Sequence, residues 1–90
     1  SYEAGHKHLS DGEYSSAIKE FSNAIQSDPN YSGAYRYRGW SYDRLLQYEK
    51  AIQDYDMAIR LAPNEPSFFV ERGIAYSSLE QYPDAIKDYD

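Results

Sequence analysis

The chain has 90 residues, of which 27% are charged, 41% hydrophobic and 17% aromatic, with a formal net charge of −6 at pH 7 and no cysteine. This size fits one small domain, and the missing cysteines exclude disulfide bonds, thiolate metal sites and a cysteine nucleophile. The negative charge argues against a nucleic-acid partner. The purely apolar runs are no longer than the one at 68–70, which predicts no membrane insertion. The composition leaves the cellular compartment undetermined, with the cytoplasm favoured.

Helical periodicity predicts six elements, labelled A or B by their place in successive helix pairs. The segment 49–62 is typical, because its apolar residues recur at helical spacing along one stripe. Proline and polar clusters at 28–30 and 63–66 break the pattern and predict loops. In chain order the predicted helices are A1 (about 1–11), B1 (about 15–28), A2 (about 32–46), B2 (about 49–62), A3 (about 66–80) and B3 (from about 83).

The same residue types return every 34 residues along the chain. The clearest columns are Gly5, Gly39 and Gly73; Ala17, Ala51 and Ala85; Tyr14, Tyr48 and Tyr82; and Phe21, Tyr55 and Tyr89. A fixed period in this range indicates a repeat protein, in which one pair of helices stacks on copies of itself. Such stacks offer an extended concave surface for binding, which favours a binding function over catalysis.

The repeating residues resemble the tetratricopeptide repeat, whose pattern is W-x2-L-G-x2-Y, then A-x3-F, then P. Repeat two carries the fullest match, in Tyr35, Gly39, Tyr42, Ala51, Tyr55, Ala58 and Pro63. The resemblance implies an all-α, right-handed solenoid of antiparallel helix-turn-helix repeats. We expect one domain over 1–90 with about 2.5 repeats. Its parts are repeat 1 at about 1–31, repeat 2 at about 32–65 and a partial repeat 3 at about 66–90.

The second and third repeats carry arginine where the family pattern has leucine before the glycine. Arg38 and Arg72 each have an aspartate sixteen residues later, at Asp54 and Asp88. We predict that Arg38–Asp54 and Arg72–Asp88 are ion pairs that join the A and B helices of one repeat. The glycine and alanine columns should lie where these two helices cross closely.

The turns between A and B helices also differ among the repeats. Gly12 suits the left-handed position that commonly ends a helix, whereas Leu46 and Glu80 occupy the equivalent positions of the later repeats. We expect these two turns to be strained or built differently.

The resemblance implies that the A helices line the concave groove and that the B helices form the outer surface. On that register, the predicted peptide-binding residues are Tyr2, His6, Arg36, Tyr37, Trp40, Arg44, Val70 and Ile74. Trp40, Tyr37 and Tyr2 would be apolar anchors, and Arg36 and Arg44 would meet acidic groups. The alternatives are that Trp40 packs between adjacent A helices and that the two arginines are simply solvated.

One subgroup of the family binds the carboxylate end of chaperone tails through a clamp of lysine, asparagine and arginine. The positions of this chain that match the clamp hold Tyr2, His6, Tyr37, Ser67 and Glu71. None carries the clamp residue, and Glu71 would repel a carboxylate. The sequence therefore argues against binding of a chaperone tail.

Catalytic and cofactor motifs are not found in the chain. It has no glycine-rich phosphate loop and no G-x-S-x-G motif. His6 and His8 are two residues apart and point to different sides of a helix, and the D-x-D sequences at 54–56 and 88–90 belong to the repeat. We predict no enzyme activity, no cofactor and no metal site.

Two functions remain open. The leading hypothesis is a protein-interaction scaffold that binds a peptide segment of a partner protein in the groove of the A helices. The alternative is a structural module that self-associates, because the chain stops inside B3 without a polar capping helix. Ile86 and Tyr89 would then form the uncapped C-terminal surface of a homo-oligomer.

Overall fold

The computed structural model describes residues 2–81, which form five α-helices and no strand. They are α1 (Tyr2–Ser10), α2 (Tyr14–Ser27), α3 (Ser32–Arg44), α4 (Tyr48–Leu61) and α5 (Pro66–Gln81). These are the predicted A1, B1, A2, B2 and A3, with each boundary within two residues of its predicted place. The predicted B3 lies outside the described residues.

Each helix packs against the helices before and after it in the chain, and α1 also touches α3. The described residues therefore form an all-α repeat solenoid, in which α1, α3 and α5 are the A helices and α2 and α4 are the B helices. No helix in the described range is long and apolar enough to cross a membrane.

The repeating small and aromatic columns form the core. Ala51, Ile52 and Tyr55 of α4 are buried together with Ala75 of α5. A second cluster joins Tyr35, Ala58 and Phe68, which lie on α3, α4 and α5. The stripe that predicted an amphipathic helix thus faces both neighbouring A helices, and it holds consecutive repeats together.

Gly39 marks the tight crossing of α3 and α4. A Cβ atom at this position would lie 2.9 Å from Cε1 of Tyr55 and 3.2 Å from the backbone oxygen of Ala51. In the first repeat, a Cβ atom at Gly5 would lie 2.7 Å from Cε1 of the fully buried Phe21. The prediction that the glycine column allows close helix crossing is confirmed in these two repeats.

The turns after α1 and α3 have the same hydrogen-bond pattern but different residues. The amide of Gly12 donates to the Leu9 oxygen, and that of Glu13 donates to the His8 oxygen. The turn after α3 repeats both bonds with Leu46 in place of Gly12, and Leu46 has a φ of 63°. A leucine therefore occupies the left-handed position, which confirms the expected strain at this turn. Glu80 lies within α5, so the helix continues past the position at which the other turn was expected.

The predicted ion pair between Arg38 and Asp54 is confirmed. Its Nε and Nη2 donate to the two carboxylate oxygens of Asp54, at 2.9 and 2.7 Å. Its Nη1 donates to Oγ of Ser22 on the preceding B helix, at 3.1 Å. Arg38 thus links α2, α3 and α4.

Arg72, like Arg38, donates a hydrogen bond from Nη1 to the preceding B helix. Its Nη1 donates to Oδ1 of Asp56 on α4 at 2.8 Å, and Asp56 is the repeat equivalent of Ser22. The predicted partner Asp88 lies outside the described residues.

Candidate functional site

The groove is defined by one side of α3. Arg36, Tyr37, Asp43 and Arg44 each lie three or four residues from Trp40, so the helix places all five along one face. This face is flanked by α1 on one side, which contacts α3. It is flanked by α5 on the other side, where Glu71 accepts a hydrogen bond from Arg36. The two sides of α3 differ in character.

An aromatic cluster fills the side toward α1. It consists of Tyr2, His6, Phe21, Tyr31 and Tyr37. Tyr2 stacks on Tyr31 with the ring centroids 4.5 Å apart, and His6 meets Tyr37 edge to face at 4.3 Å. Burial raises the pKa of Tyr2 to about 12 and lowers the pKa of His6. Both shifts favour the neutral form of the side chain, and the rings of the cluster pack on one another.

An open cavity occupies the side toward α5. Its volume is about 560 Å³, within the range typical of ligand pockets. The lining residues come from α3, α4, α5 and the turn after α3, and they are Arg36, Trp40, Asp43, Arg44, Leu46, Tyr48, Tyr55, Glu71, Ile74 and Ser78. Trp40 is 38% exposed and Ile74 is 56% exposed. The cavity therefore offers solvent-accessible apolar walls.

The arginines of this cavity make contacts within the molecule. Nε of Arg36 donates to Oε1 of Glu71 at 2.8 Å, and its guanidinium lies 5.1 Å from the ring centre of Tyr37. The guanidinium of Arg44 lies 5.5 Å from the ring centre of Trp40. Arg36 is consequently neutralised by Glu71, whereas Arg44 covers part of the tryptophan.

Asp43 has the most unusual environment in the cavity. Its Oδ1 is buried, and it is the one buried side-chain polar atom of the described, non-exposed residues that lacks a hydrogen-bond partner. Burial raises the pKa of the Asp43 carboxyl, and nearby Arg44 opposes the rise. Burial also raises the pKa of Glu71, against the opposing effect of Arg36. The cavity thus contains one acceptor whose bonding capacity is unused.

The eight predicted binding residues fall into three groups. Four of them line the cavity, namely Arg36, Trp40, Arg44 and Ile74. Tyr2, His6 and Tyr37 belong to the aromatic cluster. Val70 is 60% exposed on α5 and is not among the residues that line the cavity. Their role in binding stays a prediction.

The eight predicted binding residues include none of the B-helix residues that line the cavity. They also leave out Asp43 and Glu71, although the register of the family pattern places both on the groove side of their A helices. Tyr48 and Tyr55 belong to repeating core columns, which gave no sign that each also borders the cavity. Leu46, at the left-handed position of the turn after α3, also lines the cavity.

The residues at the positions that match the carboxylate clamp make contacts within the molecule. Tyr2, His6 and Tyr37 are in the aromatic cluster, and Glu71 is paired with Arg36. Oγ of Ser67 donates to Oε1 of Glu65 at 3.1 Å. Within residues 2–81, no three histidine, aspartate or glutamate side chains are grouped as metal ligands.

The comparisons with known proteins agree with this architecture. The sequence profile of the tetratricopeptide repeat family matches residues 2–66. Among 25 solved chains that match is the first TPR domain of Spaghetti (RPAP3), determined with the HSP90 peptide SRMEEVD. It has a TM-score of 0.84 and 28% sequence identity, over 98% of this chain and 72% of that chain. The comparison with curated protein sequences found no match.

Proposed function

This chain belongs to the tetratricopeptide repeat family, and on that premise we propose that it binds a peptide segment of a partner protein in the groove of its A helices. The similar domain of Spaghetti binds a peptide of HSP90, which supports a peptide-binding interaction module. The finer proposal is that the cavity between α3 and α5 is the principal contact surface.

One observation carries this assignment: the single tryptophan of the chain is exposed at an open cavity. Trp40 is 38% exposed, and half-exposed Ile74 lines the cavity with it. Tryptophan and arginine are enriched among the residues that dominate the energy of protein interfaces. Trp40 with Arg44 over its ring has that composition.

The peptide should differ from the acidic peptide bound by the similar domain. No clamp position carries a lysine, asparagine or arginine, and the Arg36 guanidinium is already held by Glu71 at 2.8 Å. The peptide SRMEEVD is therefore a suitable negative control for binding.

A peptide array tests the proposal with three forms of the protein. Wild type and Phe69→Ala should bind a common set of peptides, whereas Trp40→Ala should lose it. Phe69 is a matched control, because its ring is 44% exposed on α5 but does not line the cavity. All three proteins are first checked for equal helicity. Equal binding by all three, or no binding by wild type, would contradict the proposal.

The alternative of self-association also has an observation in its favour. Phe69, Val70 and Tyr76 of α5, the last helix of the described range, are 44%, 60% and 49% exposed. Ile86 and Tyr89, which the sequence suggested as the uncapped surface of a homo-oligomer, lie outside the described residues. Sedimentation at increasing concentration distinguishes the two functions, because a mass that rises for wild type but not for Ile86→Glu would support assembly.

A further inference from the structure

We propose that the cavity between α3 and α5 receives the side chain of a lysine or arginine in the bound segment, with Asp43 as its acceptor. This inference rests on the proposed function and adds the chemical class of the ligand. It reverses the expectation from sequence, in which Arg36 and Arg44 would attract acidic groups.

The charged groups of the cavity differ in how far they are already paired. Arg36 and Glu71 satisfy each other at 2.8 Å, so that pair contributes little net charge. Arg44 is exposed and lies against the Trp40 ring. Asp43 is different, because its Oδ1 is buried without a hydrogen-bond partner. Among the charged groups of the cavity, the carboxylate of Asp43 has the most to gain from an incoming donor.

The walls of the cavity suit the stem of a long basic side chain. Trp40, Leu46 and Ile74 are 38%, 50% and 56% exposed, and all three line the same cavity as Asp43. Lysine and arginine bury an aliphatic stem against apolar surface while their charged heads reach a polar group. The combination of apolar walls and a buried acceptor therefore matches a basic side chain.

Other side chains fit this site less well. An acidic residue would place its carboxylate beside that of Asp43, so two like charges would be desolvated together. A purely aliphatic residue would fill the cavity without supplying a donor to the carboxylate of Asp43. Burial raises the pKa of the Asp43 carboxyl despite the opposing effect of nearby Arg44, so a further cation beside this carboxyl would favour its ionised form.

Two small probes test the inference directly on the cavity, in place of a partner protein. N-acetyl-lysine N-methylamide carries the ammonium group, and N-acetyl-norleucine N-methylamide has a similar stem without it. Both are titrated into ¹⁵N-labelled protein, and the amide shifts of Asp43 and Ile74 are followed. We expect the lysine probe to bind about fivefold more tightly to wild type, which corresponds to roughly 1 kcal/mol.

The variants assign that preference to Asp43. In Asp43→Asn the lysine and norleucine probes should bind equally, whereas Glu49→Gln should keep the wild-type preference. Glu49 is an exposed acid on α4 that does not line the cavity. Equal binding of the two probes to wild type would overturn the inference, and so would a preference that survives in Asp43→Asn.

The peptide array separates this inference from the proposed function. Peptides that require Trp40 but show no enrichment in lysine or arginine would uphold the groove and refute the basic anchor. If no peptide binds to wild type, the proposed function fails, while the two probes still decide whether Asp43 selects a cation.

Discussion

Replacing Asp54 with asparagine tests whether the arginine network holds the repeats together. Asp54 is 4% exposed, and it accepts two hydrogen bonds from Arg38 at 2.9 and 2.7 Å. Burial raises the pKa of Asp54, while the bonds from Arg38 oppose that rise. The substitution would remove the negative charge and turn an amide group toward the guanidinium, which leaves a partly buried cation without its counter-ion.

The structure sets the size of the expected loss. Removing one partner of a fully buried ion pair costs about 3–5 kcal/mol. The Arg38 side chain keeps 22% exposure and its bond to Ser22, so water and the hydroxyl replace part of the lost interaction. We therefore expect a loss of about 2–3 kcal/mol, which lowers the Tm of a domain of this size by roughly 10–20 °C.

Thermal unfolding followed by far-UV circular dichroism measures this loss, with Asp56→Asn as the matched control. Asp56 pairs with Arg72 at 2.8 Å, but the two side chains are 43% and 32% exposed, so this variant should lose only about 0–1 kcal/mol. The double variant Arg38→Leu with Asp54→Asn should recover part of the loss because it removes the unpaired cation. A Tm for Asp54→Asn equal to that of Asp56→Asn would refute the reasoning.

Three further predictions concern single positions, each measured by chemical unfolding. Gly39→Ala should destabilise the domain by about 1–2 kcal/mol, because its Cβ meets Tyr55 and backbone, despite a gain in helix propensity; unchanged stability would contradict the tight crossing. Leu46→Gly should stabilise the domain by about 0.5–1 kcal/mol, because the strain that it removes at the left-handed position exceeds the entropy cost of an added glycine. A loss of stability would mean that the contacts of the leucine outweigh its strain. Asp43→Asn should stabilise the free domain by about 1 kcal/mol at pH 7. Folding raises the pKa of Asp43, so its ionisation costs stability as pH rises. The gain of this asparagine variant over the wild type should shrink toward pH 4, and a constant gain would refute this cause.

The fold follows from the sequence because its signals repeat. The 34-residue columns place Gly39 against α4 and pair Arg38 with Asp54, and both relations are present in the structure. Each of them depends on contacts within one repeat or between adjacent repeats, which a period makes visible. The contact of Arg72 with Asp56 was not predicted, because Ser22 at the equivalent place in the first repeat carries no charge that would mark the column as acidic.

The candidate site was less accessible to sequence reasoning, because its character depends on which charges are already paired. Arg36 was expected to meet acidic groups of a ligand, yet Glu71, 35 residues later, holds its guanidinium at 2.8 Å. The unpaired oxygen of Asp43 is harder still to foresee, since the lack of a partner depends on the positions of all its neighbours. Residue type and register could place these side chains in the groove but could not give its polarity.

The most direct test of the groove is the indole N–H resonance of Trp40 in a ¹⁵N-labelled protein. Because the chain has one tryptophan, this signal is unique and needs no assignment. A peptide selected on the array is titrated alongside a version of scrambled sequence. The groove predicts a saturable shift of the indole signal and of the Ile74 amide with the selected peptide alone, while the amide of Lys19 on α2 stays unchanged. Saturable binding that leaves the indole signal in place would contradict the groove as the binding surface.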